Sequence, residues 1–396
     1  MGAHQEKNTE ANQPAAAPQR RSGRKKRRSA QKTVAIVLAS LAILLVVAAA
    51  AAWGFLKYTS RLREGMFNDR SSGEMQAIRE QRQKAAEQKK AEQTGEAPAP
   101  TETPREMPDW VDEDGKEYRY RDDVLTILLM GIDNMNDPSR WAADIVSNGG
   151  NADVLALVTL NTETEEMSIL YIPRDTMADL LMLDPEGNYL DTVYNNISAS
   201  HSYGDGGALS CELTAEAVSN LLYGVPIRRY VSMNMEALPA VNQVLGGLEV
   251  TFPEDYTKLD YAFQKGETVR LTDQQLNRLI RYRNHSEVEG AYQRGLRDLK
   301  LVMNAMLRQV KNRLKTDPGA ALSLYRQLEP QLTTNLSADE ISYLAQLVSH
   351  VSINDDTVIS MRGTTQMGEK YAEFYPDEEW LRAFVIENYC VRINEN

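Results

Sequence analysis

The chain has 396 residues, 42% of them hydrophobic and 25% charged, with a formal net charge of −12, a length that suits one large domain or two plus tails. The charge is split, because residues 1–32 carry nine Lys/Arg against Glu6 and Glu10, a net of +7 that leaves −19 on the rest. A body so acidic repels phosphate backbones at long range, which argues against nucleic-acid binding. Two cysteines, Cys211 and Cys390, are too few for a disulfide framework or a zinc site, although a single bridge between them stays open.

In chain order, a basic run with eight positive residues between Arg20 and Lys32 stands directly before "TVAIVLASLAILLVVAAAAAWGFL" (33–56), 24 residues without a charge. As a helix it would rise about 36 Å, enough to cross a hydrocarbon core of roughly 30 Å with some tilt. The positive flank holds the N-terminus in the cytoplasm and sends everything after residue 56 outside the cell membrane. A cleaved signal peptide is the alternative, but its apolar region is usually shorter, about 7–15 residues. Residues 57–93 are charged, helix-prone and without an apolar stripe, so they read as a solvated stalk, followed by the Pro/Thr/Glu-rich spacer "TGEAPAPTETPREMP". The expected organisation is a cytoplasmic tail (1–32), a transmembrane helix (33–56), a stalk and linker (57–120) and an extracellular domain (121–390).

Within that domain, "LTILLMGID" (125–133), "ADVLALVTLN" (152–161) and "MSILYIPRD" (167–175) are apolar runs suited to buried central strands. "NNISASHSYGDGG" reads as a loop whose "GDGG" has the composition of a phosphate cradle, though a plain loop accounts for it equally well. "CELTAEAVSNLLYG" predicts a helix closed by Gly224, "RRYVSMN" a strand, "MEALPAVNQVLGG" a helix and "LEVTF" a strand. "TDQQLNRLIRYR" opens with a capping box, Thr272 and Gln275. The next helix carries Leu296, Leu299, Met303, Met306 and Val310 on one stripe, with Arg294 and Arg297 roughly opposite. "SADEISYLAQLVSH" opens with a second box, Ser337 and Glu340, and the chain closes with a strand near 357–361 and a helix from about Pro376. Strands interleaved with helices predict an α/β fold, a mixed central sheet sandwiched by helices and preceded by one transmembrane helix.

The charged residues gather where apolar strands end. Asp133 closes the first strand, Asp153 opens the second, and Arg174 and Asp175 follow the third. If the second strand is antiparallel to the other two, Asp133, Asp153 and Arg174 share one sheet edge. Between Arg270 and Arg297 there are six arginines and no lysine, and "RYRNHSEVEGAYQRGLR" holds Arg281, Arg283, Arg294 and Arg297. Carboxylates hold Mg2+ together with phosphate and water, and guanidinium forks take phosphate oxygens bidentately. Taken singly, each of these residues also fits a turn, a local ion pair or a solvated face. His4, His201, His285 and His350 form no metal-ligand pair at helical spacing, and no GxxxxGK[ST] loop is present.

The order of "ILLMGID", "ADVLALVTLNTETEEMSILYIPRDT", "NNISASHSYGDGG", "VNQVLGGLEVTFP", "LTDQQLNRLIRYRN" and "RGLRDLKLVMNAML" resembles the LytR–CpsA–Psr family of Gram-positive cell-envelope proteins. The resemblance implies a membrane-anchored phosphotransferase of cell wall biogenesis. It would move a glycopolymer from a polyprenyl-pyrophosphate carrier in the membrane lipid to a peptidoglycan sugar hydroxyl. It also implies that Asp133 and Asp153 hold Mg2+ and that Arg174, Arg281, Arg283, Arg294 and Arg297 hold the pyrophosphate. Arg174, Asp175 and Arg283 would be catalytic, with Asp175 orienting Arg174. Three positions depart from the family pattern. Asn151-Ala152 replace an Arg-Ser pair, Ala291 replaces an Asp, and Asp298 replaces a Gln, which adds a negative charge near the expected phosphate. A non-enzymatic binder of anionic lipid or wall polymer, and a pyrophosphatase using water as acceptor, are the alternative readings of the same residues.

Overall fold

The computed structural model describes residues 59–94, 110–111, 115–133, 149–281, 288–317, 319–354, 356–369 and 371–393, with the backbone alone at 91, 93–94, 110–111, 281 and 288–296. The expected membrane helix at 33–56 lies outside the described residues, and among those described no helix is long and apolar enough to cross a membrane. The larger of two compact units comprises residues 62–396 and contains everything that follows.

The three apolar runs form the middle of a six-stranded mixed sheet. Its strands, numbered in chain order, are β1 (Val124–Asp133), β2 (Asn151–Asn161), β3 (Met167–Ile172), β4 (Arg229–Asn234), β5 (Leu332–Thr334) and β6 (Val358–Ser360). In space they run β5-β4-β1-β2-β3-β6. β2 is antiparallel to both β1 and β3, while β4 lies parallel to β1 and β6 parallel to β3. The antiparallel middle on which a shared edge for Asp133, Asp153 and Arg174 depended is therefore present. Helices α1 (Gly73–Thr94), α2 (Ala208–Leu221), α3 (Leu238–Val244), α4 (Asp273–Arg281), α5 (Val288–Thr316), α6 (Ala320–Leu328), α7 (Ala338–His350) and α8 (Glu378–Tyr389) complete the unit.

Near-continuous apolar runs arise because both faces of the sheet are covered. On one face Leu128, Met130, Leu155, Leu157 and Leu170 pack with Cys211 and Val218 of α2 and with Leu381 and Val385 of α8. On the other, Ile127 and Leu125 meet Leu344 of α7, while Val154 and Met233 meet Leu276, Leu279 and Ile280 of α4 and Val302 of α5. α5 is covered on more than the one stripe expected of it, because Asp298 and Asn304 are buried along with Leu299 and Val302.

Several elements differ from expectation. The charged, helix-prone stretch does form a helix, α1, but not a solvated one: its first two turns bury Met75 and Ile78 against Leu181, Leu209 and Leu213. Two apolar residues one helical turn apart suffice to dock it, and ion pairs from Arg79 and Arg82 to Glu216 add to them. A hairpin, Met177–Leu183 with Tyr189–Asn196, follows β3, and the Asn/Ser-rich stretch after it is a 3-10 helix, Ile197–Tyr203. "LEVTF" forms a strand, but it pairs with Thr268–Arg270 outside the central sheet. Both capping boxes are present: Gln275 N–H donates to Thr272 Oγ1 and Thr272 N–H to Gln275 Oε1, and Ser337 and Glu340 exchange the same bonds.

Candidate active site

β1 ends at Asp133, and the antiparallel β2 begins opposite it with Asn151. Pairing passes from Gly131–Val154 to Ile132–Ala152, so Asp153 is the extra residue of a β-bulge. In a regular strand residues 152 and 154 point to one face. Here Ala152 joins the α2/α8 core, whereas Val154 packs against the α4/α5 cluster. The bulge breaks the alternation and re-aims Asp153 at the sheet end, a use common beside active sites. Nothing in the residue pattern announces that extra residue.

Two glycines let β2 start where it does. Gly150 has φ +68°, and a Cβ there would stand 2.5 Å from the Asp133 carbonyl oxygen. A Cβ on Gly149 would lie 2.3 Å from the carbonyl oxygen of His201. His201 Nδ1–H donates to the Gly149 carbonyl at 2.7 Å, with the Gly150 carbonyl at 3.3 Å, the tautomer being assigned from those acceptors. The ring is buried, which pushes its pKa below the usual 6.5 and keeps it neutral. His201 thus ties the entry to β2, and so Asp153, to the 3-10 helix; sequence spacing carried no sign of this role.

Pro173 stops β3, and the next residues turn tightly: Thr176 N–H and Thr176 Oγ1–H both donate to the Pro173 carbonyl, at 3.0 and 2.6 Å. The turn is pinned from outside by Ser198 N–H on the Arg174 carbonyl and Phe374 N–H on the Asp175 carbonyl. With the backbone fixed, Arg174 Nη1 donates to Asp153 Oδ1 at 2.7 Å and Nε to Asp175 Oδ1 at 3.3 Å. Burial opposes the guanidinium charge, but these two carboxylates outweigh it and raise the pKa above the ordinary arginine value. Asp133, Asp153, Arg174 and Asp175 are accordingly together at one end of the sheet, as their strand positions predict.

Arg297 approaches from the α4/α5 side. Leu299 of α5 packs in one cluster with Tyr171 and Val154, neighbours of Arg174 and Asp153. Ile280 of α4 shares a cluster with Val154. That packing carries Arg297, exposed and 3.5 Å from Glu254 Oε1, toward the same sheet end. An exposed pair of this kind is worth about 0–1 kcal/mol, so the guanidinium exchanges partners easily. Arg281 is the last residue of α4 and Arg294 stands in α5; Arg283 lies outside the described residues, as does Ala291's side chain. Asp298 does not face the expected phosphate: it is 5% exposed and takes the Tyr256 hydroxyl hydrogen bond inside the fold.

Cys211 and Cys390 are both buried and are not joined in a disulfide, so the possible bridge is not made. Burial pushes the Cys211 thiol up to about 12, which makes it an inert packing group. The "GDGG" turn is occupied by its own carboxylate, since Asp205 Oδ1 accepts Gly207 N–H at 2.7 Å and Ser210 N–H at 3.1 Å.

Among the described residues no group of three or more His, Cys, Asp or Glu is clustered as a metal cage. The Asp133/Asp153 pair still suits Mg2+ chemically, because that ion takes one or two carboxylates and completes its shell with phosphate and water. Arg174 engages Asp153 through Oδ1, and a carboxylate offers two oxygens.

The chain belongs to the LytR–CpsA–Psr family, whose model matches residues 75–384. A relative from Halalkalibacterium halodurans, named polyisoprenyl-teichoic acid–peptidoglycan teichoic acid transferase TagU, is 26% identical over 260 residues, 66% of this chain and 77% of its own length. The protein of that name from Bacillus cereus is 25% identical over 221 residues, 56% of this chain and 63% of its own. Among solved structures, B. subtilis TagV superposes with a TM-score of 0.51 at 23% identity, covering 67% of this chain and 97% of TagV. The Streptococcus agalactiae protein gbs0355 gives 0.51 at 18% identity, covering 67% and 88%. These likenesses establish the mixed α/β fold.

Proposed function

We propose that this protein is a phosphotransferase that moves a glycopolymer from a polyprenyl-pyrophosphate carrier to a hydroxyl of peptidoglycan, working on the outer side of the membrane from the anchor expected at 33–56. The observation that carries the reading is Arg174, fixed on a pinned turn between Asp153 and Asp175 at the sheet end shared with Asp133. The names of the TagU relatives point the same way. In the reaction the acceptor oxygen bonds to the phosphorus that carries the glycan. The bond from that phosphorus to the bridging oxygen breaks, prenyl phosphate leaves, and the hydroxyl proton passes to water. The product is a glycan phosphodiester on the acceptor.

Such a transfer needs positioning and charge neutralisation more than covalent chemistry. Arg174 is preoriented by its two carboxylates and presents its fork to a phosphate oxygen. Arg281, Arg283, Arg294 and Arg297 would supply further guanidiniums to the pyrophosphate. Asp133 and Asp153 are the residues that would hold Mg2+, which supplies positive charge to the pyrophosphate when bound. Asp175 keeps Arg174 from turning away.

Single Arg→Lys variants at 174, 281, 283, 294 and 297 keep the charge but lose the fork. A charge-assisted hydrogen bond is worth about 1.5–3 kcal/mol, so each variant should bind a prenyl pyrophosphate about tenfold or more weakly. Melting temperature of Arg297→Lys should hardly move, because its pairing is exposed. Unchanged affinity in all five would remove the phosphate site.

A further inference from the structure

We propose that Tyr256 and Asp298 are positioning residues that set Arg297 for the pyrophosphate, an inference that rests on the phosphotransferase reading. The hairpin of Glu249–Thr251 with Thr268–Arg270 is joined through residues 252–267, which hold no helix or strand of their own. Connections longer than about 12–15 residues without such elements are uncommon in compact domains and are usually functional. This one is tightly built. Phe252 and Phe263 are buried and stack with ring centroids 4.4 Å apart, and the Tyr256 ring packs on Phe252 at 5.4 Å. Tyr256 N–H donates to the Phe263 carbonyl at 2.9 Å. From that base the loop grips two helices. Arg278 Nη1 of α4 donates to the Leu259 carbonyl at 2.9 Å and to Asp260 Oδ2 at 3.2 Å. On α5, Glu254 pairs with Arg297, and the Tyr256 hydroxyl donates to Asp298.

The two contacts on α5 differ in kind. The Glu254–Arg297 pair is exposed on both sides and lets the guanidinium go. Asp298 is buried, and a buried carboxylate is costly unless hydrogen bonds hold it. The stacked ring and the backbone bond of Tyr256 fix where its hydroxyl points. Burial, and then the Asp298 charge, push that hydroxyl above the usual tyrosine value of 10.0, which keeps it protonated as a donor. Successive residues on a helix are turned by about 100°. Holding Asp298 inward therefore fixes the roll of α5 where Arg297 reaches the surface. It also keeps a carboxylate away from the phosphate that Arg297 would take. Without the hydroxyl, Asp298 loses a donor that holds it inward, and turned outward it competes for Arg297 and repels the phosphate. This is a position where the chain departs from the family's Gln, and the structure gives the change a physical role: the side chain anchors the helix instead of facing the ligand.

The test titrates full-length protein in detergent with a prenyl pyrophosphate. Tyr256→Phe keeps the stacked ring and removes only the hydroxyl, and it should bind the probe about tenfold more weakly. Asp298→Ala should do the same, whereas Asp298→Asn keeps an acceptor oxygen and should bind at least as well as the parent protein. In an Arg297→Lys background Tyr256→Phe should cost nothing further, because both changes reach the phosphate through one guanidinium. If Asp298→Ala does not fold, Tyr256→Phe and the double variant decide alone. Normal binding in Tyr256→Phe or in Arg297→Lys would overturn the proposal. So would a Tyr256→Phe loss undiminished by Arg297→Lys, or an Asp298→Asn loss as large as that of Asp298→Ala. With Arg174→Lys still weakened, any of these leaves the phosphate reading standing; normal binding in all five Arg→Lys variants removes that reading instead.

Discussion

Arg174 and Arg229 show how context decides what a guanidinium is for. Arg174 is 45% exposed and faces carboxylates 23% and 22% exposed, so a ligand can reach it. Arg229 is 1% exposed, 3.1 Å from the equally buried Glu340, and also donates to the carbonyls of Gly65 and Asn68. Glu340 serves its capping box and this pair together. Burial works against its charge, but the Ser337 N–H and the Arg229 guanidinium prevail and hold its pKa below the usual 4.5. A depressed carboxylate pKa gives stability that is present at neutral pH and lost as pH falls through the folded value. Glu340→Gln should therefore cost roughly 3–5 kcal/mol at pH 7, because it strands a buried charge. In urea titrations at several pH values the gap to the parent protein should narrow under acid; a gap independent of pH would contradict this account. The capping half of Glu340 was legible in "SADE". Its pairing with Arg229 was not, because the two lie 111 residues apart in sequence and only the fold joins them.

The elements that could be read from sequence were those with strong local periodicity or punctuation. β1, β2 and β3 are long apolar runs, α2 closes at Gly224, and α4 and α7 carry boxes that fix their first turns. The site-bearing strand ends followed from the same runs, since an antiparallel β2 brings Asp133, Asp153 and Arg174 to one edge. What escaped were features set by long-range pairing: the bulge at Asp153, the His201 tie to Gly149, and short strands such as β5. The docking of α1 escaped for a related reason, since an otherwise charged helix packs through Met75 and Ile78, both at most 1% exposed. Ile78→Ala should loosen that helix by about 2–4 kcal/mol, within the range for large-to-small core changes. Hydrogen exchange should then show lost protection in residues 74–86 with β1 and β2 still protected. Unchanged exchange in α1 would return it to the free stalk expected from its charge.

At the scale of the whole molecule, a body carrying −19 sets the exposed guanidinium of Arg174 at one end of its sheet, and the surrounding acidity makes the choice of ligand local rather than global. Coulombic attraction between exposed charges fades beyond about 8–10 Å at physiological salt, so in the proposed reaction Arg174 and Arg297 would act on a phosphate at contact range. The family and the fold say that the chain is built like its teichoic acid transferase relatives, while the transfer itself is read from one sheet end. Product analysis tests that most directly. Full-length protein, a prenyl-pyrophosphate-linked glycan and peptidoglycan strands should together yield a glycan–peptidoglycan phosphodiester and free prenyl phosphate, and Arg174→Lys should reduce both by about tenfold or more. Release of a glycan phosphomonoester with no phosphodiester would make the protein a pyrophosphatase, and recovery of the lipid-linked glycan unchanged would make it a binder; either result contradicts the account.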